Sequence, residues 1–125
     1  MYAYLIVFAG AGLGGALRHG VNVAALRMFG PGFPIATLAV NVLGSFLMGL
    51  LFALFSLKVD VPAGLRLFLT TGVLGGFTTF SAFSLDAALL YEQGQGVLAL
   101  IYVLASVILA LTGLFLGMGA ARYLA

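Results

Sequence analysis

The sequence predicts an all-α integral membrane protein with four transmembrane helices. Of its 125 residues, 64% are hydrophobic and only 6% are charged, whereas soluble domains are about 25% charged. The same figures exclude a disordered chain, which combines low hydrophobicity with high charge density. A spanning helix takes about 20 residues, so the chain has room for four helices and their connections but not for a soluble domain.

Four apolar segments follow one another along the chain. They cover residues 2–28, 35–57, 65–91 and 97–121. The connections between them, at 30–34, 58–62 and 92–96, are rich in glycine, proline or charge. Connections this short make consecutive helices antiparallel neighbours, and no repeat marks two halves of a transporter. We therefore expect one four-helix transmembrane domain over residues 1–125.

The first apolar segment is expected to be a retained helix. A cleaved secretory leader carries a basic region before its apolar stretch, whereas Met1 runs directly into apolar residues here. The glycine-rich pattern also continues past Arg18. We therefore expect this segment to belong to the mature protein.

The basic residues give a weak orientation signal. With four spans, three of them lie on one side of the membrane and one or two on the other, depending on whether Arg18 lies within the helix. The two sets are Lys58, Arg66 and Arg122 against Arg27 and Arg18. So small a bias permits insertion both ways, which allows an antiparallel two-fold homodimer. A single topology is compatible with the same count.

Composition also excludes several kinds of chemistry. The chain has no cysteine, so it has no disulfide, thiolate nucleophile or cysteine metal site. Its basic residues are scattered singly, and such a pattern does not indicate a nucleic-acid partner. His19 is the only histidine and has no metal-binding partner. No nucleophile and base are combined as in an enzyme.

Small residues recur at the four-residue spacing that lets membrane helices approach closely. The pairs are Gly10 with Gly14, Ala11 with Gly15, and Gly113 with Gly117. We assign these pairs to helix packing and expect no chemistry from them.

Two polar side chains within the first two segments invite a functional interpretation, because such groups are costly at membrane depth. Arg18 either reaches an interface with its long side chain or places positive charge in a vestibule that attracts anions. Asn41 shares a helix face with Ser45 and Met48. Its amide either bonds a neighbouring helix or donates to an anion in a pore.

The third segment combines glycine, threonine and phenylalanine over residues 72–84. This composition predicts a break in the helix in mid-membrane, which is tolerated only where the backbone is buried in protein or lines a watery cavity. A break exposes carbonyl oxygens that can hold a cation and a helix N-terminus that favours anions. The alternative is a kinked helix whose threonine and serine hydroxyls bond its own carbonyls.

Phe80 and Phe83 share one face of the helix after the predicted break. The edge of a phenyl ring is electropositive, so ring edges with amide and hydroxyl donors can form an uncharged lining for anions. A fixed positive charge would hold a small anion too tightly for conduction. The same spacing is also typical of core packing.

Three stretches together resemble the Fluc (CrcB-type) fluoride channels: residues 75–84, Asn41 before Gly44 and Ser45, and residues 14–18. The resemblance covers the whole chain. It implies a dual-topology antiparallel homodimer, surrounded by lipid, in the bacterial cell inner membrane. It further implies two fluoride pores, passive export that relieves fluoride toxicity, and a central structural Na⁺ at the dimer interface.

The resemblance also assigns roles by position. The fluoride pore would be lined by Asn41, Phe80, Phe83, Ser81 and Ser106, with Arg18 in the vestibule. The main-chain carbonyls of Gly75 and Thr78 would bind Na⁺, each supplied twice by the two-fold related chains.

Three positions depart from the family pattern or are ambiguous in it. Ala82 and Ala110 stand where hydroxyl residues are expected, which thins the polar lining. Asp86 falls where the family has an acidic residue, often glutamate, and an ordinary cap or ion-pair partner is the simplest interpretation.

A small multidrug-resistance-type antiporter is the strongest alternative, since it also has four short helices and dual topology. Proton-coupled exchange of cationic drugs needs a membrane-embedded carboxylate, and the first segment has no Asp or Glu but has Arg18. Tryptophan, which would suit a cage for bulky cations, is absent. A purely structural subunit would not need the glycine-threonine break.

Overall fold

The computed structural model describes residues 2–58 and 60–124, and every regular element among them is helical. The prediction of an all-α chain is confirmed. Met1, Val59 and Ala125 lie outside the described residues, so the predictions for the start of the chain and the middle of the 58–62 turn are not addressed by the structure.

The helices follow one another without strands in the described part of the chain. They are α1 (Tyr2–Phe29), α2 (Ile35–Leu57), α3 (Ala63–Leu67), a π-helical segment (Phe68–Leu74), α4 (Gly75–Phe77), α5 (Ser81–Glu92) and α6 (Gly96–Leu124). Gly30 and Gly94, with φ of 75° and 80°, follow α1 and α5 in the left-handed conformation that glycine adopts at helix ends.

Three helical runs are long and apolar enough to cross a bilayer: Ile35–Leu57, Ala63–Glu92 and Gly96–Leu124. The 28-residue α1 is about 42 Å long at the usual rise of 1.5 Å per residue, but its glycines, Arg18 and His19 make it less apolar. That α1 is a fourth span stays a prediction.

Two tight packing contacts organise the chain. α2 lies along α6, and α1 lies along the π-helical segment and α4. A Cβ atom on Gly117 would overlap the Phe46 carbonyl oxygen, and one on Gly14 would overlap the Val73 carbonyl oxygen. Because glycine alone permits such backbone approach, these positions have the packing role that their spacing predicts.

The run from Ala63 to Glu92 is interrupted twice. The π-helical segment Phe68–Leu74 is wound more loosely than an α-helix. Helical structure then stops after Phe77 and resumes at Ser81. The three residues between, Thr78, Thr79 and Phe80, are called the break below; Thr78 has extended backbone, with φ of −85° and ψ of 160°. The depth of the break in a bilayer stays a prediction.

Hydroxyl side chains bond helical carbonyls along the same run. Thr78 Oγ1 donates to the Leu74 oxygen at 3.0 Å, and Ser84 Oγ donates to the Phe80 oxygen at 2.9 Å. These are the bonds expected of a kinked helix. The run thus combines such back-bonding with three residues that leave the helix.

Candidate functional site

An open cavity of about 480 Å³ lies between α2, α6 and the break. We call it the break groove. Six of the eight predicted site residues line it: Asn41, Gly75, Thr78, Phe80, Phe83 and Ser106. Ser45 and Met48, which share the helix face of Asn41, line it as well. None of its described lining residues carries an ionisable side chain.

The Asn41 side chain forms two hydrogen bonds with the backbone of the break, both of them to Thr79. Its Nδ2 donates to the Thr79 carbonyl oxygen at 2.9 Å, and the Thr79 N–H donates to its Oδ1 at 2.8 Å. An asparagine amide has two N–H donors, and only one is used in this pair. Asn41 therefore forms the interhelical bond considered above and still has a donor left for a ligand in the groove.

Arg18 approaches the break from α1 but does not line the groove. Its Nε donates to the Gly76 carbonyl oxygen at 3.1 Å, and its side chain is half-buried. The guanidinium thus supplies a donor to a carbonyl near the end of α4, where the regular helical donor is missing.

Two carbonyl oxygens at the break are left open. Within residues 2–58 and 60–124, neither the Gly75 nor the Thr78 oxygen accepts a hydrogen bond. The donors that would serve them in a continuous helix are the Thr79 and Ala82 N–H groups, which bond Asn41 Oδ1 and Thr79 Oγ1 instead. Neutral oxygens of this kind suit a hard cation, so these residues fit the predicted Na⁺ ligands.

The two phenylalanines differ in exposure. Their ring centroids are 5.5 Å apart, with planes tilted by 50°. Phe80 is 77% exposed, while Phe83 is buried. Phe83 also contacts the Tyr102 ring at 5.3 Å. One ring is therefore fixed in the core, and the other stands open at the mouth of the groove.

The two predicted serines lie in different surroundings. Ser106 is 5% exposed, and its Oγ has no hydrogen-bond partner among the described residues. A buried hydroxyl without a partner costs about 1–3 kcal/mol, so it can gain from a ligand in the groove. Ser81 is exposed and does not line the groove; its Oγ lies 3.4 Å from Thr79 Oγ1.

A second cavity of about 430 Å³ lies beside the connection from α1 to α2. We call it the loop groove; its polar lining includes His19, Asn22, Thr37, Asp86 and Gln93. Asp86 forms no ion pair with the described residues. Its Oδ2 instead accepts a hydrogen bond from the Tyr102 hydroxyl at 3.2 Å.

Sequence reasoning missed Tyr102 as a functional candidate. Its side chain is fully buried and contacts both Phe83 and Phe33, with ring centroids 5.3 and 5.5 Å away. It thereby connects the Phe83 side of the break groove with the Asp86 side of the loop groove. The available signal was a phenol hydroxyl within the largely apolar α6.

Comparison with known proteins places the chain in a family. The family model described as CrcB-like protein, Camphor Resistance (CrcB), matches residues 5–118. A relative from Granulibacter bethesdensis, named fluoride-specific ion channel FluC, is 54% identical over 124 residues, covering 99% of this chain and 98% of the relative.

Two further relatives carry the same name. The protein from Rhodopseudomonas palustris is 55% identical over 119 residues, covering 95% of this chain and 96% of the relative. The protein from Methylobacterium nodulans is 57% identical over 109 residues, covering 87% of each chain. The chain therefore belongs to the CrcB family of multi-pass membrane proteins of the bacterial plasma membrane.

Proposed function

We propose that this protein is a fluoride-selective channel through which fluoride leaves the cell passively, down its electrochemical gradient, so that fluoride toxicity is relieved. The names of its relatives support a fluoride channel and not an enzyme. The observation that carries the proposal is the break groove, in which an amide, a buried hydroxyl and two phenylalanines meet without any charged side chain.

The lining of the groove suits a small anion. Asn41 has one amide N–H to donate, and the Ser106 hydroxyl has no partner in the part of the chain that the structure describes. The rings of Phe80 and Phe83 add electropositive edges. Together these groups offset part of the hydration that fluoride loses, and the absence of a fixed positive charge lets the ion leave again.

The functional unit in this proposal is an antiparallel homodimer. α1 forms the fourth span, so that the whole chain is one four-helix transmembrane domain. The openness of the break groove and the 77% exposure of Phe80 support a second copy that covers this side. Two-fold symmetry repeats the groove, which gives two pores per dimer. The weak bias of basic residues supports insertion in both orientations.

A structural Na⁺ at the two-fold axis completes the proposal. Gly75 and Thr78 would hold it through their main-chain oxygens, and the open state of both oxygens supports this assignment. One chain supplies two ligands, so a second copy is needed for a fuller set. The bound ion would supply a positive charge that holds the two breaks together.

Arg18 and Ser81 have weaker support as functional residues. Arg18 is close enough to the break to contribute positive charge to a vestibule, although neither cavity is lined by it. Ser81 is exposed beside Thr79, so its role as a pore residue requires the partner copy or a different rotamer.

Fluoride efflux from liposomes tests the proposal. Purified protein is reconstituted with internal potassium fluoride, and a potassium ionophore is added to discharge the membrane potential. We expect fluoride to leave rapidly only with the ionophore, while chloride in a parallel preparation stays trapped. Phe80→Ile and Asn41→Asp should slow fluoride efflux by about tenfold or more, since each removes a group that faces the ion.

A matched control uses Phe115→Ile. Phe115 is 67% exposed on α6 and does not line the break groove, so its efflux should equal that of the wild type. Fluoride that stays trapped, together with uptake of a cationic dye driven by a proton gradient, would show an antiporter and contradict the proposal.

A further inference from the structure

Two side chains from different helices hold the backbone around the break. Arg18 of α1 bonds the Gly76 carbonyl, 58 residues away in the sequence. Asn41 of α2 bonds the backbone N–H and the backbone carbonyl of Thr79, 38 residues away. The backbone is therefore held by one helix within α4, just before the break, and by another helix at the middle residue of the break.

The bond from Thr79 to Asn41 also orients a neighbouring carbonyl. The Thr79 N–H and the Thr78 carbonyl belong to the same planar peptide group, and in a trans peptide these two groups point in opposite directions. No cis peptide bond occurs among the described residues. Because the Thr79 N–H points at Asn41 Oδ1, the Thr78 oxygen must point away from Asn41.

Arg18 acts one peptide group away from the other open carbonyl. The Gly76 oxygen that it bonds belongs to the peptide group that follows the one carrying the Gly75 oxygen. Fixing one peptide plane limits the rotation of its neighbour, which matters at glycine because this residue has the widest conformational freedom. Thus each open carbonyl lies next to a backbone group that is held by another helix.

We infer that Asn41 and Arg18 are positioning residues for the cation site, in that they hold the Thr78 and Gly75 carbonyl oxygens in the orientation that binds the ion. This inference rests on the proposed Na⁺ site. It gives Asn41 a role separate from donating to fluoride, and it gives Arg18 a role that depends on the Nε–H geometry and not on charge alone.

The test measures cation binding directly and does not use fluoride transport as its readout. Thermal unfolding of the purified protein in detergent is followed by circular dichroism while NaCl replaces N-methylglucamine chloride at constant ionic strength. A ligand that binds the folded state raises the unfolding temperature in a concentration-dependent way. The Na⁺ concentration needed for half of this rise gives an apparent affinity for each variant.

Asn41→Leu removes both bonds to Thr79 and keeps the number and branching of the side-chain heavy atoms, and Arg18→Lys keeps the charge but loses the fixed Nε–H. We expect the apparent Na⁺ affinity to fall about tenfold or more in each, which corresponds to about 1.4 kcal/mol. The matched controls are Asn22→Leu and Arg27→Lys, since neither side chain bonds the break. Both controls should keep the wild-type Na⁺ dependence.

Wild-type Na⁺ dependence in Asn41→Leu and Arg18→Lys would overturn the inference. Because Arg18→Lys is the milder change, it decides the case if Asn41→Leu does not fold. The inference would also be overturned if the unfolding temperature of the wild-type protein did not change with the Na⁺ concentration. Fluoride efflux would then test the proposed channel function independently.

Discussion

α6 and the run from Ala63 to Glu92 have nearly the same length, 29 and 30 residues. Their backbone polar groups, however, find hydrogen-bond partners in different ways. α6 is one continuous helix, so its peptide groups bond one another. The other run contains a π-helical segment and a break, and side chains of α1 and α2 bond its backbone. An apolar sequence suffices for the first kind of span, whereas the second also requires polar partners on other helices.

This difference explains where a ligand can bind. A continuous helix has no free backbone oxygen in its interior and offers a ligand only side chains, as α6 does with Ser106. The interrupted run offers main-chain oxygens at Gly75 and Thr78 as well. Both runs rely on glycine for close packing, so glycine alone does not distinguish a site from a scaffold.

A large loss of stability is expected from Gly76→Ala. A Cβ atom on Gly76 would overlap the Ala11 carbonyl oxygen and lie 2.9 Å from the Ala11 Cα, both of them backbone atoms of α1. Because backbone cannot move aside cheaply, we expect a loss of about 3 kcal/mol, the upper range for overpacking. Thermal unfolding in detergent, followed by circular dichroism, measures it.

Gly119→Ala on α6 is the matched control for that change. No atom of the described residues lies within 4 Å of a Cβ atom at Gly119, so the substitution should be neutral or stabilising, given that alanine favours helix by about 1 kcal/mol over glycine. Equal destabilisation by the two substitutions would contradict the close approach of α1 to α4.

A smaller effect is expected from Tyr102→Phe, which removes the hydrogen bond between α6 and Asp86 of α5 but keeps the aromatic ring. The Tyr102 hydroxyl bonds Asp86 Oδ2, and losing it leaves a half-buried carboxyl without its donor. We expect a loss of about 1–2 kcal/mol in the same unfolding measurement. Tyr123→Phe serves as the control because Tyr123 is 91% exposed. This variant should unfold at the same temperature as the wild type.

Ser106→Ala should cause no loss of stability but should have a clear effect on transport. Among the described residues its Oγ has no partner to lose, and the substitution removes a buried unpaired hydroxyl, so the unfolding free energy should stay the same or rise by up to about 1–3 kcal/mol. If the hydroxyl faces fluoride, efflux from liposomes should nevertheless slow severalfold. A large loss of stability with normal efflux would assign Ser106 to the scaffold.

The all-α fold was accessible from sequence for simple physical reasons. Apolar runs predict helices in a bilayer, and residues such as Thr78 and Thr79 beside paired glycines disfavour a continuous helix. Asn41 stood out because an amide is rare in such a segment. All of these signals come from local composition, which a single sequence is enough to show.

The contacts that hold the break were not accessible. Spacing reveals neighbours on the same helix, whereas Arg18 and Asn41 bond residues 58 and 38 positions away. Ser81 lies outside the groove, although Thr78, Thr79 and Phe80 directly before it line the groove. The π-helical winding of Phe68–Leu74 likewise has no recognised signal in composition.

The most direct test of the central claim is the reversal potential of the purified protein in a planar bilayer under a fluoride gradient. A passive fluoride channel predicts a shift of about 59 mV for each tenfold gradient, the value for one transferred charge. It also predicts no shift when a chloride or a pH gradient is imposed. A reversal potential that follows the pH gradient would show that protons are coupled to transport and would contradict the passive channel.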